Sequence, residues 1–467
     1  MGAGIHSGEH GSGDDIYTAL AQESEPATRS YQPSLPNVGT PGKGLNIFRE
    51  ALNLIRQYYV ASVSENELFQ NAWDNFVFSL LPQCTEEVQT KEDCVEPSED
   101  CLIQAIQAIG ENCRLDIDRL FLKALMSVIR GLDPNSTLLD QAMMNELKIS
   151  TAGKFGGVGI VVTAKNNDYV VISSLDGSPA QKAGLGAGDT ILEIDGKPLH
   201  GLPLLEVLSM VRGPAGSTMT AVVKSNKTGA IRGVRLKRRV ISIAPVKSLI
   251  LDHSVGYIRI VNFQDNTGRE VGKALVKMFS YAPGSLRGLI LDLRDNPGGL
   301  FEEAIRVAGL FRPSSTITSL RGRNPQVNRE FVAPSRNALP EIPTVVLINK
   351  GSASASEILA GALRGLPNVL VMGERSFGKA SVQVVFPLNH GMALRLTTAH
   401  YYTADGRDID GRGVEPDVAI DSPEGFAMPK IGFPKPSEVS NDPEIRIAVE
   451  YLLQGRLPSR SPFSTWY

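Results

Sequence analysis

The sequence predicts a mixed α/β protein with a helical N-terminal region, a compact β-rich module and an α/β core. Helical periodicity prevails before residue 150, short β-branched runs punctuated by glycine follow, and beyond residue 240 strands alternate with helical stretches. A chain of 467 residues has room for roughly two to four domains. We expect a disordered arm or linker at 1–43, the helical region at 44–150, the β-rich module at 151–240, the α/β domain at 241–425 and a tail with a final helix at 426–467.

The overall composition is that of an ordinary globular protein, with 42% hydrophobic and 21% charged residues. A net charge of −3 provides no basic excess to hold nucleic acid. Charges, glycines or prolines break every apolar run well short of the roughly 20 residues that span a bilayer. The first residues lack the basic and apolar segments of a secretory signal, so we expect none in the sequence as given. The sequence implies no metal and no organic cofactor.

Apolar residues at helical spacing predict three helices in the N-terminal region. The first begins near Leu45, the second spans about 67–81, and the third covers Ile117–Leu132. Asp133-Pro134-Asn135 ends the third helix, because proline cannot continue it.

An acidic insert at 82–114 holds all four cysteines: Cys84, Cys94, Cys101 and Cys113. Their spacing matches no Cys-x-x-Cys zinc pattern. An even number of cysteines in a polar segment favours one or two disulfides and an oxidising compartment. Four reduced thiols are the alternative.

Shorter patterns predict the elements of the module and the core. The predicted strands are Val158–Val162, Tyr169–Ser173, Thr190–Ile194, Thr218–Val223, Val255–Ile260, Gly288–Leu293, Pro343–Ile348, Val369–Met372 and Val382–Phe386. The predicted helices are Ser178–Ala183, Leu204–Val211, Arg269–Ser280, Phe301–Leu310, Ser356–Arg364 and Pro443–Leu453.

The segment from Gly373 to Ser381 admits three interpretations. As a phosphate-binding loop it lacks the Ser or Thr that should follow Lys379, and a strand rather than a helix comes next. A Ser-x-x-Lys acyl-transfer motif would require Ser376 and Lys379 to lie one helical turn apart. Gly378 between them and the strand that follows Lys379 do not support a helix there. The third interpretation pairs Lys379 with a serine from elsewhere in the chain.

Ser354 is the serine that this interpretation uses. It lies where a buried strand turns into a helix, and unpaired backbone N–H groups at such a turn can form an oxyanion hole. The alternative is a capping box, since Glu357 follows three residues later. No histidine lies beside an obvious partner, whereas burial can lower the pKa of Lys379 until it acts as a base. A solvated turn lysine is the alternative for Lys379.

A second strand-to-helix turn follows the strand Gly288–Leu293 and contains Gly298 and Gly299. A tight Gly-Gly turn exposes backbone N–H groups, although ordinary strand-to-helix loops share the pattern. We expect Asp292 and Arg294 to stabilise this turn through charged hydrogen bonds rather than to take part in chemistry.

Four motifs, in order along the chain, resemble those of the carboxyl-terminal-processing (tail-specific) serine proteases. They are Asp292–Gly299, Gly351–Glu357, Phe377-Gly378-Lys379 and Gly406–Asp417. The resemblance implies Ser354 as nucleophile, Lys379 as general base and Gln383 as the residue that orients the lysine. It further implies an oxyanion hole made by the N–H of Ala355 and one N–H from Gly298 or Gly299. The chain departs from the family at Ala380, where glycine is usual, and in the cysteine-bearing insert.

The module at 153–239 resembles a PDZ domain, which this family uses to select substrates. By this resemblance, Gly157, Val158, Gly159 and Ile160 present N–H groups to the C-terminal carboxylate of a substrate. Leu204, Leu205 and Leu208 would line a pocket for apolar C-terminal residues, with core packing as the alternative.

The resemblance implies a serine endopeptidase that binds protein C-termini through its PDZ domain and cleaves the bound proteins. The alternative is a non-catalytic PDZ scaffold that only binds C-termini. The expected partners are protein substrates with exposed apolar C-termini, and a second copy of the chain and an activating adaptor are further candidates. The family and the cysteines together indicate the periplasm, the cell envelope or the thylakoid lumen.

Overall fold

The described part of the chain confirms the predicted mixed α/β class, because helices and β-sheets alternate through most of it. The computed structural model describes residues 42–77, 98–165, 168–175, 177–186, 188–202, 204–242, 244–251, 254–281, 286–333, 341–420 and 439–455. The predicted arm before residue 42 and the cysteines Cys84 and Cys94 lie outside the described residues. Among the described helices, none combines the length and apolarity that a membrane crossing needs.

Four α-helices make up residues 43–130 of the described N-terminal region. They are α1 (Lys43–Tyr58), α2 (Glu65–Ala72), which continues as a π-helical turn at Trp73–Val77, α3 (Glu99–Asn112) and α4 (Ile117–Arg130). Their apolar faces form one core, which Leu394 and Leu396 from a distant strand join. The helical region therefore packs directly on the α/β part of the chain.

Helix α3 lies in the second half of the segment expected to be an acidic insert. Leu102, Ile106 and Ile109 follow helical spacing and are fully buried in the helical core, which explains why the segment folds as a helix. Cys101 and Cys113, at the two ends of α3, are each disulfide-bonded. The intervening helix holds them roughly 18 Å apart, well beyond the reach of one disulfide, so they are not bonded to each other.

The β-rich module follows strand β1 (Thr137–Leu139) and helix α5 (Gln141–Ala152). Its elements are β2 (Lys154–Gly157), β3 (Ile160–Lys165), β4 (Asp168–Ser174), α6 (Pro179–Lys182), β5 (Thr190–Ile194), β6 (Lys197–Pro198), α7 (Leu204–Val211), β7 (Thr218–Lys224), β8 (Ile231–Lys237) and β9 (Arg239–Ser242). The main sheet has the order β3-β4-β5-β7-β8, so β3 lies at an edge. Strands β2 and β9 pair with each other, so the chain enters and leaves the module through one two-stranded ribbon.

The core is built on a six-stranded sheet with the order β10-β11-β12-β15-β16-β19, parallel from β11 onward. Its strands are β10 (Val246–Leu251), β11 (Val255–Ile260), β12 (Gly288–Asp292), β15 (Thr344–Ile348), β16 (Val369–Gly373) and β19 (Val418–Ala419). Helices α8 (Thr267–Tyr281), α9 (Phe301–Phe311) and α10 (Ala355–Leu363) pack on one face, and α11 (Pro443–Gln454) packs on the other.

A second sheet crosses the core and reaches the helical region. It joins β1 to β13 (Thr316–Arg321), β14 (Arg329–Val332), β17 (Ser381–Pro387) and β18 (Ala393–Thr403), with 3₁₀ turns at Pro325–Val327 and Asn389–Gly391. Strand β18 pairs with β1, β13 and β17. The six-stranded sheet positions the candidate site, because its neighbouring parallel strands β12 and β15 end side by side at one edge.

Candidate active site

Ser354 lies at the turn that connects β15 to α10. Its φ is +55° and its ψ is −114°, a conformation that costs free energy for any residue with a side chain and is concentrated at functional sites. The residue is only 1% exposed. The fold therefore holds this serine in a strained, desolvated position at the amino end of a helix, as the sequence predicted for its location.

The Gly298-Gly299 turn after β12 touches the Ser354 turn. A Cβ on Gly298 would lie 2.8 Å from Ser354 Cβ and 3.0 Å from the nitrogen of Ala355, so only glycine fits there. The N–H of Gly298 donates to Asn296 Oδ1 over 2.9 Å. The N–H groups of Ala355 and Gly299 make no hydrogen bond within the described residues, and these two groups can therefore receive an oxyanion.

Lys379 lies in the loop between β16 and β17 and is only 6% exposed. Burial, assisted by the positive charge of Arg395, lowers its pKa to about 8, while Asp133 and Glu357 oppose this shift. This environment excludes the solvated turn lysine that was the alternative. An amine with such a pKa is partly neutral at physiological pH and can accept a proton.

Glu357 connects the serine turn to the lysine loop. Its buried carboxylate accepts hydrogen bonds from the N–H of Ser354 (2.8 Å), Gly378 (2.7 Å) and Lys379 (2.9 Å) and from the hydroxyl of Ser376 (2.5 Å). The contact with Ser354 is the glutamate half of the capping box considered from the sequence. The other three contacts belong to the lysine loop, so Glu357 fixes the positions of both segments relative to each other.

A second residue, Tyr401 of β18, links the same two segments. Its buried hydroxyl lies 3.0 Å from the carbonyl oxygen of Ser354 and 2.9 Å from that of Lys379, so its proton can be donated to either. Ser354 and Lys379 are 25 positions apart in sequence, yet their backbones share two common partners.

Gln383, on β17, is 1% exposed and donates from Nε2 to the Thr397 hydroxyl over 3.2 Å. Ser376 is occupied structurally, since its hydroxyl donates to Glu357 and accepts from the N–H of Val414. Strand β17 follows Lys379, as the sequence predicted. Both the phosphate-loop and the Ser-x-x-Lys interpretations need a helix at this position.

Asp292 and Arg294 stabilise the base of the glycine turn. Asp292 is fully buried and accepts hydrogen bonds from the N–H, Nε and Nη2 of Arg294. Burial alone would raise the pKa of Asp292, but Arg294 and Arg259 outweigh it and lower the pKa to about 2. Arg294 also binds Asp442 at the start of α11, so the C-terminal helix contributes to the shape of this turn.

The residues expected to form the PDZ groove lie along the β3 edge and on α7. Carbonyl oxygens of Val158 and Gly159 accept bonds from inside the module, while their N–H groups donate no backbone hydrogen bond within the described residues. Gly157 and Val158 are buried and Ile160 is half-buried against the module core. Leu208 is half-buried. Leu204 and Leu205 lie in α7, and their side chains fall outside the described part of the structure.

Sequence reasoning missed the contributions of Tyr401, Thr397, Asp133 and Arg395, and it considered Glu357 only as a helix cap. Tyr401, Thr397 and Arg395 belong to no local motif, Asp133 was considered only as part of a helix end, and these four residues reach the site through strand pairing or helix packing. Among the described residues, no three His, Cys, Asp or Glu side chains are arranged to hold a metal ion.

The chain is similar to known proteins in sequence and in structure. Residues 254–420 match the family model of peptidase family S41, and residues 170–225 match that of the PDZ domain. A carboxy-terminal-processing protease of Bartonella bacilliformis is 40% identical over 309 residues, which cover 66% of this chain and 71% of the relative. A carboxy-terminal processing protease of Bacillus subtilis is 33% identical over 324 residues, 69% of this chain and 68% of the relative. Among solved structures, a photosystem II D1 C-terminal processing protease is 29% identical with a TM-score of 0.47, over 84% of this chain and 96% of that one.

Proposed function

This chain belongs to the carboxy-terminal-processing serine proteases of peptidase family S41, and on that premise we propose that Ser354 and Lys379 form its catalytic dyad. The observation that carries the proposal is the shared anchoring of both segments on Glu357, with a buried lysine whose pKa is about 8. A lysine acts as a base only where it is desolvated and beside the hydroxyl it deprotonates.

In the proposed reaction, Lys379 Nζ takes the hydroxyl proton as Ser354 Oγ attacks the substrate carbonyl carbon. The negative charge on the carbonyl oxygen is stabilised by the N–H groups of Ala355 and Gly299. The ammonium of Lys379 then returns the proton to the leaving amine, and water hydrolyses the acyl-enzyme with the same lysine as base. Gln383 orients the lysine.

The PDZ domain indicates that the protein binds peptide C-termini. We extend this to substrates with apolar C-terminal residues, which would add a strand beside β3 and insert a side chain next to α7. Because Ser354 is 1% exposed, a substrate carbonyl reaches it only when a neighbouring segment moves. Self-association, an activating adaptor and location in the periplasm, cell envelope or thylakoid lumen stay predictions.

Covalent labelling with a fluorophosphonate, in the presence of a peptide with an apolar C-terminus, tests the nucleophile. We expect the full chain to be labelled and Ser354→Ala to be unlabelled. Ser381→Ala is the matched control, because Ser381 is two positions from Lys379 and its buried hydroxyl makes no hydrogen bond within the described residues. Peptide binding without label or cleavage in the wild-type chain would instead support the scaffold alternative.

The pH dependence of kcat/KM tests the base. Lys379 is active only as a neutral amine, so protonation below its pKa of about 8 removes activity. We expect kcat/KM to rise through an acid limb near pH 8, which makes the rate at pH 7 roughly a tenth of the plateau. An acid limb near the ordinary lysine value of 10.5 would contradict the assignment.

A further inference from the structure

A chain of hydrogen bonds leads from Gln383 to the N-terminal helical region. Gln383 Nε2 donates to Thr397 Oγ1 over 3.2 Å, and Thr397 Oγ1 donates to Asp133 Oδ1 over 3.0 Å. Gln383 and Thr397 are each 1% exposed, so water does not compete for the bond between them, and Asp133 is half-buried. Asp133 lies in the loop between α4 and β1, more than 200 positions before the other two residues.

A β-bulge makes this contact. Along the β17–β18 pair, Val382 lies opposite Ala399, but Gln383 lies opposite Thr397, so Thr398 is an extra residue in β18. Bulges beside active sites commonly redirect a side chain. Here the bulge sets Gln383 against Thr397.

The direction of each hydrogen bond follows from what the groups can donate. The Asp133 carboxylate also accepts from the N–H of Asn135 (2.7 Å), the N–H of Ser136 (2.9 Å) and the hydroxyl of Ser136 (2.6 Å). A carboxylate surrounded by donors accepts only, so the single proton of the Thr397 hydroxyl points to Asp133. The Thr397 oxygen is then an acceptor, and only the NH₂ end of Gln383 fits against it.

The carbonyl Oε1 of Gln383 therefore points away from Thr397. In the proposed dyad Gln383 orients the lysine, so Oε1 is the atom left to accept a hydrogen bond from the Lys379 amine. A neutral lysine that donates one N–H to Oε1 keeps its lone pair for the Ser354 hydroxyl. The opposite amide orientation would present NH₂ to the amine and hold it less well.

We infer that Asp133 is a positioning residue that acts through Thr397 and Gln383 to set the orientation of Lys379. The inference rests on the proposed Ser354–Lys379 dyad. It makes the helical region part of the catalytic apparatus rather than a separate domain.

Contacts around Asp133 hold its loop against β18. Thr397 N–H donates to Ser136 Oγ over 3.0 Å, and Arg395 Nε donates to the carbonyl of Asn135 over 3.1 Å. The end of α1 adds two contacts: Val60 N–H donates to the carbonyl of Thr397, and Tyr59 Oη donates to that of Leu132. The placement of Asp133 therefore depends on the docking of the helices.

Thr397→Val tests the inference with little change in shape. We expect kcat to fall about ten- to a hundredfold with KM nearly unchanged, because the base is misplaced while substrate binding is not affected. Thr397→Ser keeps the hydroxyl and should restore kcat. Thr318→Val is the matched control: Thr318 is fully buried in the same sheet and its hydroxyl donates to the carbonyl of Tyr402 over 2.7 Å, away from Gln383. The Thr318→Val variant should be less stable than the wild type but should keep the wild-type kcat.

A double-mutant cycle separates positioning from general damage. If Asp133 and Thr397 act through Gln383, adding Thr397→Val to Gln383→Ala lowers kcat no further. Additive losses would overturn the inference.

Asp133→Asn provides an independent readout if Thr397→Val does not fold. The groups that face Lys379 are Asp133, Arg395 and Glu357, and Tyr59 faces Asp133 with a pKa that burial and Asp133 raise to about 12. Removing the negative charge of Asp133 lowers the pKa of Lys379, so the acid limb of kcat/KM should move to lower pH while the plateau falls. A purely structural role would lower the plateau without moving the limb.

The outcomes distinguish the two proposals. The positioning role is overturned if the Thr397 and Asp133 variants keep the wild-type kcat and the wild-type acid limb of kcat/KM. The dyad remains intact if Ser354→Ala and Lys379→Ala are inactive in the same assay. Substantial cleavage by Ser354→Ala would overturn the dyad itself.

Discussion

Lys379→Met is expected to lower the plateau value of kcat/KM, above pH 8, by roughly 10²–10⁴-fold, the usual cost of losing a general base. Methionine fills a similar volume and suits a site that is 6% exposed, so the fold should persist. The acid limb near pH 8 should also disappear from the residual activity, because the group that titrates there is gone. Steady-state cleavage of an unstructured protein with an apolar C-terminus measures both effects.

Lys247 provides the matched control for this substitution. It is 7% exposed on β10, and burial together with Arg259 lowers its pKa to about 8, as for Lys379. Lys247 lies on the edge strand of the six-stranded sheet and not on the Ser354 or Gly298 turns. Lys247→Met should therefore keep kcat/KM near the wild-type value. Equal losses in the two variants would show that Lys379 has no special role.

The sequence predicted the buried parallel strands best. For β15 and β16 the predicted bounds differ from the structure by one residue, because fully buried strands appear as continuous apolar runs that end in glycine or polar turns. The turns that carry Ser354 and Gly298 follow such strands, which is why local patterns located them.

The second sheet was harder to predict. Strand β18 has eleven residues, but its burial does not alternate, and a bulge at Thr398 interrupts the two-residue period. Helix α3 was missed for another reason: its apolar face lies inside an acidic, cysteine-containing segment whose composition suggested an insert.

Proximity within the site depends on tertiary structure, which no spacing along the chain reveals. Local patterns offered Ser354 and Lys379 as a pair, and the resemblance to a known family gave the two residues their roles. Glu357 carried a sufficient local explanation as a cap. Thr397 belongs to no motif, and Asp133 was considered only as part of a helix end. Their roles follow from a strand register and from the docking of α4, both of which are set by packing.

Glu357→Ala is expected to reduce both stability and activity. The substitution leaves three N–H groups and one hydroxyl in a dry site without their acceptor, and each such group costs roughly 1–3 kcal/mol before relaxation. Because the site can partly rearrange, we expect a loss of about 3–5 kcal/mol in the free energy of unfolding. A lower urea midpoint with an unchanged slope would measure it.

The loss of activity should exceed what the unfolded fraction explains, because Glu357 holds the Ser354 turn and the Lys379 loop together. Glu303→Ala is the matched control: Glu303 is 1% exposed in α9, accepts from the N–H of Gly268 over 2.7 Å and pairs with Arg306. It should lose comparable stability yet keep kcat per folded molecule. The stability and activity of Glu357→Gln should lie between those of the wild type and Glu357→Ala. The amide oxygen still accepts hydrogen bonds, whereas the NH₂ group faces other donors. If Glu357→Ala, once folded, cleaves as fast as Glu303→Ala, then the serine and lysine segments hold their geometry without this carboxylate.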